Sequence, residues 1–339
     1  MSELGNWKST TDLENWMRTV PVDKPVEATA FNPTASSEAQ ARAIIQATPA
    51  IIGTEQPVSE LDEIQATYKQ REFGLWIPEP SEFPELIITI PDDVEDANGQ
   101  IQLAPLYDVH FGSPEQDTPL LYEHLDWMAN TPGVYTWDGG DTIENKTPNE
   151  GHMGHDPMSP EEQVMLATRK EGLVRHKMFF KLPGNHEDRT SKQSWISSAR
   201  MIANNLKVPF FPDYCFCTIK WRGNNFRLIA HHGAGGAQTP GAQRNAARKE
   251  LEWAKPDMLW TGHLHQPLVD PVFITDVDQS TGRYFERDVL VIISPSYVKY
   301  FGGYSAHSRM KPGTRGLTVV MLNESGRIDA NVHAHGRRL

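Results

Sequence analysis

From about residue 101 onward, short runs of apolar residues alternate with longer segments in which apolar residues return every three or four positions. The first pattern predicts buried strands and the second predicts helices packed by one face. Strands are expected at Ile101–Leu106, Val134–Trp137, Met178–Leu182, Tyr214–Trp221, Phe226–Ala230, Met258–Trp260, Val289–Ile293 and Leu317–Leu322. Helices are expected at Pro119–Asn130, with Leu120, Leu121, Leu125 and Met128 on one side, at Pro160 to about His176, near Trp195–Leu206, and at Gln243–Ala254. Strand and helix in alternation describe an α/β sheet protein. The first 95 residues read differently. Two modest helical segments, Asp12–Thr19 and Ser36–Thr48, stand among Pro-rich acidic stretches such as Ile77–Pro84. That composition predicts an acidic N-terminal extension over residues 1–95, draped on or hanging from a main domain at 96–339.

Charge and histidine sharpen this division. Residues 1–100 hold 18 Asp and Glu against 6 Lys and Arg, so they carry the whole net charge of −12, and the remainder is balanced. All 13 histidines lie between His110 and His335. No run of eighteen apolar residues occurs, and the N-terminus has neither a basic start nor an apolar core, which predicts no signal peptide, no membrane span and a cytoplasmic protein. The two cysteines, Cys215 and Cys217, are too few for a disulfide framework or a thiolate zinc site, and their spacing puts both on one face of a strand as small apolar residues.

The chemistry gathers where predicted strands end. Five stretches follow one another: Asp108-Val109-His110, Gly140-Asp141-Thr142-Ile143-Glu144, Gly184-Asn185-His186-Glu187, His231-His232-Gly233, and Gly262-His263-Leu264-His265. In open α/β sheets, ligands collect beyond the carboxyl ends of strands. Carboxylate, amide oxygen and imidazole together suit Mn²⁺, Fe or Zn²⁺ better than Ca²⁺ or a thiolate-selected metal.

In type, order and spacing the five stretches resemble the motifs of the calcineurin-like metallophosphoesterase superfamily, over roughly residues 100–325. The resemblance implies an α/β fold of four layers, α-β-β-α, with two mixed sheets. It also implies a two-metal phosphoester hydrolase, with Mn²⁺ foremost and Fe or Zn²⁺ as alternatives. One metal would take Asp108, His110, Asp141 and His265, the other Asp141, Asn185, His232 and His263, with Asp141 bridging. Either His231 or His232 fits the fourth motif, and the spacing to Gly233 favours His232. In the family, a hydroxide bridging the metals attacks phosphorus in line. The His after Asn, here His186, serves as general acid, oriented by the last carboxylate of the second motif, here Glu144, where most members carry Asp.

Substrate class is less sharply drawn. Arg189 and Arg244, near the third and fourth motifs, are candidates to bind substrate phosphate, with His231 beside them. His152 and His155, and the aromatic series Tyr297, Tyr300, Phe301 and Tyr304, could also face the site. Asn145-Lys146 stands where the family's protein phosphatases carry Arg-Gly, which disfavours that branch. The Gly-rich stretch after the fourth motif, and Ser296-Tyr297 through Gly303-Tyr304 to Gly316, resemble phage-type and DNA-repair-exonuclease-like members. The first expectation is thus a phosphodiesterase or nuclease whose partner is a phosphoester, DNA included. A phosphatase or phosphodiesterase for a nucleotide or other small ester is the alternative. A non-catalytic scaffold on the same fold is disfavoured by the intact His186. No heptad or apolar patch predicts an oligomer.

Overall fold

The computed structural model of the chain describes residues 68–70, 76–78, 85–146, 158–237, 239–278, 280–300 and 313–334. Both helices expected in the N-terminal extension, together with His152, His155, Phe301 and Tyr304, lie outside these residues.

Thirteen strands and five α-helices are present among the described residues. Strands β1 (Tyr68–Gln70) and β2 (Trp76–Pro78) pair with each other alone. One mixed sheet has the order β10-β11-β9-β8-β7-β3, from β10 (Leu268–Val277), β11 (Tyr284–Ile293), β9 (Met258–Thr261), β8 (Asn224–His231), β7 (Tyr214–Trp221) and β3 (Glu85–Thr89). The other has the order β13-β12-β4-β5-β6, from β13 (Ile328–Ala334), β12 (Gly316–Asn323), β4 (Gln100–Leu103), β5 (Val134–Asp138) and β6 (Met178–Lys181). The main core cluster draws on both sheets: Leu86, Cys217, Leu228, Met258 and Trp260 from the first meet Ile101, Tyr135, Trp137, Phe180 and Val320 from the second. The sheets therefore face each other across one apolar layer.

Helices cover the two outer faces. Helices α1 (Thr118–Asn130), α2 (Pro160–Glu171) and α4 (Ser198–Leu206) supply Leu121, Leu125, Val164 and Ile202 to a cluster with Val134, Met178 and Val319 of the five-stranded sheet. Helix α5 (Pro240–Ala247) and the 3₁₀ turn Lys249–Glu252 pack with Ile229, Leu259 and Val291 of the six-stranded sheet. The result is the four-layer α-β-β-α arrangement of two mixed sheets. Cys215 and Cys217 point into the core and are unpaired, and burial pushes both thiols up.

Some boundaries moved. Strand β3 lies on the N-terminal side of the expected border at residue 95, yet it pairs in parallel with β7 and buries Leu86 and Ile88 fully. The helix expected near Trp195–Leu206 is α4, which begins at Ser198, and an unexpected helix, α3 (Asn185–Ser194), precedes it, the two separated where Trp195 takes a left-handed φ of 60°. Helix α3 escaped notice because its sequence, NHEDRTSKQS, carries no apolar stripe.

Candidate metal centre

Three of the five motifs follow strands of the five-stranded sheet and two follow strands of the other. After β4 and β5 the two chains continue side by side as an irregular ladder: Leu106 N–H donates to Trp137 O, Asp108 N–H to Gly140 O, and His110 N–H to Asp141 O at 2.9 Å. This brings the first two motifs together. From the opposite sheet, Gly262 N–H donates to His232 O, tying the fourth motif to the fifth, and His263 N–H donates to Asp108 Oδ2 at 2.9 Å, tying both to the first. The site is therefore a seam between sheets.

Close approach at the seam demands glycine. A Cβ on Gly184 would stand 2.1 Å from Asp141 Oδ1, and one on Gly262 would stand 2.6 Å from Asp108 Oδ2. With the glycine in place, helix α3 begins directly against Asp141, and the His186 amide donates to Asp141 Oδ1 at 2.8 Å.

The side chains converge as three overlapping groups whose ligand atoms lie within 4.8 Å of one another: Asp108, His110 and His265; Asp141, His232 and His263; and His110, Glu144 and His186. His265 Nε2 is 3.1 Å from Asp108 Oδ1. His232 Nε2 is 3.3 Å from Asp141 Oδ2 and 3.2 Å from Asn185 Oδ1, while its Nδ1 donates to Gly139 O. With Nδ1 so engaged, Nε2 is the ring nitrogen turned to the cluster. Asp141 Oδ2 lies between the two imidazoles, 4.0 Å from His110 Nε2 on the other side. His110 Nε2 is buried and has no hydrogen-bond partner among the described residues, a ligand-type atom facing carboxylates.

Backbone conformation marks the same residues. Asp108, His110, Asp141, His263 and His265 all have φ between 51° and 65°, in the left-handed region. Each such residue costs on the order of 1 kcal/mol, and Asp and His bear it better than bulkier types. Concentration of this cost on five converging ligand-type residues is the signature of a site held for chemistry rather than for packing.

With only the protein groups counted, the carboxylates hold protons on two of the imidazoles. Burial opposes a charge on His110, but the hydrogen bond and charge of Glu144, with Asp141 and Asp108, raise it to about 9. Burial likewise opposes His232, and Asp141 and Asp108 raise it to about 10. His186 goes the other way, since burial, with His110 and Arg189 beside it, lowers it to about 4 against the pull of Asp141 and Glu144. A divalent cation would take the place of those protons.

This ordered set of motifs closing on one point decides the architecture. Two mixed sheets under outer helices, with the five motifs at one seam, are what the resemblance of those motifs to the calcineurin-like metallophosphoesterases implies. No protein-family model and no curated protein sequence matches it. Among solved structures, a metallophosphoesterase from Sphaerobacter thermophilus is 13% identical with a TM-score of 0.34, covering 70% of this chain and 90% of that one. Nuclease MPE from Pseudomonas putida is 12% identical with a TM-score of 0.30, covering 79% and 100% respectively. The NAD nucleotidase of Haemophilus influenzae is 10% identical with a TM-score of 0.37, covering 69% and 50%. Likeness of this degree assigns neither a substrate nor a residue's role.

Some residues expected at the site stand elsewhere. His231 points to the other face of β8, where its ring lies 4.9 Å from Tyr214 and its Nε2 is 3.7 Å from Glu250; strand alternation sends it away from the cluster that His232 joins. Arg244 lies on α5, 3.5 Å from Asp270, whose buried carboxylate it shares with Arg248. Tyr297 is fully buried and hydrogen-bonds His124, so it is a core residue. Arg189 does reach the site, donating to Glu144 O at 3.1 Å and standing 3.1 Å from His186 Nε2.

The Glu144 carboxylate does not orient His186. It hydrogen-bonds His110 Nδ1 at 3.0 Å, and the Glu144 backbone carbonyl accepts from His186 Nδ1 at 2.6 Å. Two further residues went unassigned in the sequence. The buried Glu187 carboxylate accepts from the amides of Asp141, Ile143 and Gly184 at 2.8–3.0 Å. Asn145 donates to His186 O and accepts from Thr190. The available signal for Glu187 was its place as the last residue of the third motif, directly after a candidate catalytic histidine.

Proposed function

We propose that the chain is a divalent-metal phosphoesterase, acting first on phosphodiesters, nucleic acid among them. The observation that supports it best is the convergence of seven ligand-type side chains, Asp108, His110, Asp141, Asn185, His232, His263 and His265, from strand ends of both sheets onto one seam. Asp108, His110 and His265 would hold one cation, Asn185, His232 and His263 the other, and Asp141 would be shared. The Nε2 of His110, buried without a hydrogen-bond partner among the described residues, and the mixed oxygen and imidazole donors fit such ions, Mn²⁺ foremost. When bound, the cations supply Lewis acidity and a positive field for phosphate oxygens.

The protein's own groups then divide the remaining work. His186 donates Nδ1–H to Glu144 O, which fixes its ring and leaves Nε2 on the cluster side, 3.8 Å from Asp141 Oδ2. Nε2 is the nitrogen from which a proton would pass to the leaving oxygen; in the metal-free fold the ring is neutral and Nε2 accepts from Arg189, so it must first take up that proton when the cations and substrate bind. Arg189, beside that nitrogen, is the group placed to fork onto a non-bridging phosphate oxygen. The preference for a diester rests on the resemblance around residues 296–316 and on this arginine.

The deciding experiment is hydrolysis of bis-p-nitrophenyl phosphate, p-nitrophenyl phosphate and labelled single-stranded and duplex DNA with added Mn²⁺, using Asp141→Ala as control. Diester and DNA cleavage abolished in the variant is the expected result. Cleavage of the monoester or of free nucleotides alone would replace this reading with a small-molecule phosphoesterase, and no turnover with any metal would point to a scaffold.

A further inference from the structure

Beneath the Gly139–Asp141 turn lies a second group of charged side chains that the cluster above does not include. Lys181, in the apolar strand β6, is fully buried, as are Asp138 at the end of β5, Thr142, and Glu171 at the end of α2. The Lys181 ammonium donates to the Asp138 carboxylate and to the Thr142 hydroxyl at 2.6 Å, and stands 3.5 Å from Glu171 Oε2, an ion pair without a hydrogen bond. Because the Thr142 hydroxyl accepts from Lys181, its own proton is directed to Asp138 Oδ2, 2.7 Å away. The other oxygen of Asp138 accepts the amide of Gly140 at 2.8 Å. A ring of hydrogen bonds thus closes on residues 138, 140 and 142. Asp141 sits within that span at φ 51°.

An ammonium in the interior is costly to desolvate, and a well-packed apolar side chain of similar volume is often no less stable there. Simple neutralisation of Asp138 would not need the threonine relay. We propose that Lys181 is a positioning residue: through Thr142 and Asp138 it holds Asp141 in the left-handed conformation from which its carboxylate faces His110 and His232. The proposal rests on reading the seam as a divalent-metal centre. Its consequence is read in metal affinity, which groups behind a ligand typically change by about 10- to 100-fold.

The test titrates Mn²⁺ calorimetrically into metal-free full-length protein, comparing wild type with Thr142→Val, Thr142→Ser and Lys181→Met, and measures urea unfolding of the same samples. Thr142→Val keeps the volume and the charge pair but removes the relay. It is expected to remain folded and to lose about 10- to 100-fold in Mn²⁺ affinity, with Thr142→Ser restoring most of it and Lys181→Met losing at least as much. Wild-type affinity in Thr142→Val would overturn the proposal, whether or not Lys181→Met folds. Wild-type protein that takes up no Mn²⁺ would overturn the metal-centre reading itself, and the proposal with it.

Discussion

His231 and His232 are neighbours in the chain and strangers in the fold. His232→Ala removes a ligand of the cluster and should abolish turnover and one Mn²⁺ equivalent by calorimetry. His231→Ala, on the far face with Tyr214 and Glu250, should leave turnover within about twofold and show only in stability, by about 1–2 kcal/mol for a partly satisfied buried group. His186→Gln tests a different role. Metal content should persist while kcat falls by about 10²- to 10⁴-fold, most for poor leaving groups; loss of both metals would make His186 a ligand instead. At this scale the sequence was informative about chemistry and silent about direction. Residue type put Asp141 and His263 forward as candidate ligands, and the fold brings them into one cluster with His232. That the Glu144 carboxylate hydrogen-bonds His110 while its backbone carbonyl accepts from His186 is a matter of side-chain direction that no spacing encodes.

Helix α3 shows how an element can be essential and illegible at once. It offers no apolar face, and its start is fixed by tertiary contacts: the Gly184–Asp141 approach and the three amides gathered by Glu187. Glu187→Gln keeps the shape but replaces a carboxylate that accepts three amides with a neutral group that can accept through one oxygen. A loss of about 1.5–3 kcal/mol per hydrogen bond weakened is expected by urea denaturation, together with weaker Mn²⁺ uptake. Gly184→Ala should be worse for the metal than for the fold, because the added carbon meets Asp141 itself. Elements with a strong apolar period, α1 and strands β5, β7 and β9, were located to within a residue or two. Strands β10 and β13 were not, since edge strands and long polar hairpins bury too little to leave a clear pattern, and β3, though its Leu86 and Ile88 are buried, was passed over because it stands within the Pro-rich acidic extension.

For the whole molecule, the position of the site between two sheets links protonation, metal and stability. His110 and His232 have folded values near 9 and 10, above the unfolded value of about 6.5, so the stability they confer is complete below about pH 6.5 and is lost as pH rises through 9 to 10. His186 and His231, held near 4, stay neutral in the fold, and their contribution is lost as pH falls from about 6.5 towards 4. The Tm of metal-free protein should therefore pass through a maximum near pH 6.5, and a scan from pH 4 to 10 checks it. Mn²⁺ should raise Tm more as pH rises, with protons released on binding, because the ligands must be deprotonated. Strand and helix alternation marked an α/β protein, and the layer order came through the family that the motifs resemble, whereas the seam was not legible, since it arises only when two sheets meet. The left-handed backbone at Asp108, His110, Asp141, His263 and His265 has a further consequence, for laboratory evolution. Glycine relieves that conformation, so a library selected for heat tolerance alone would enrich glycine at these five positions, and the survivors would be hardier proteins with nothing left to catalyse.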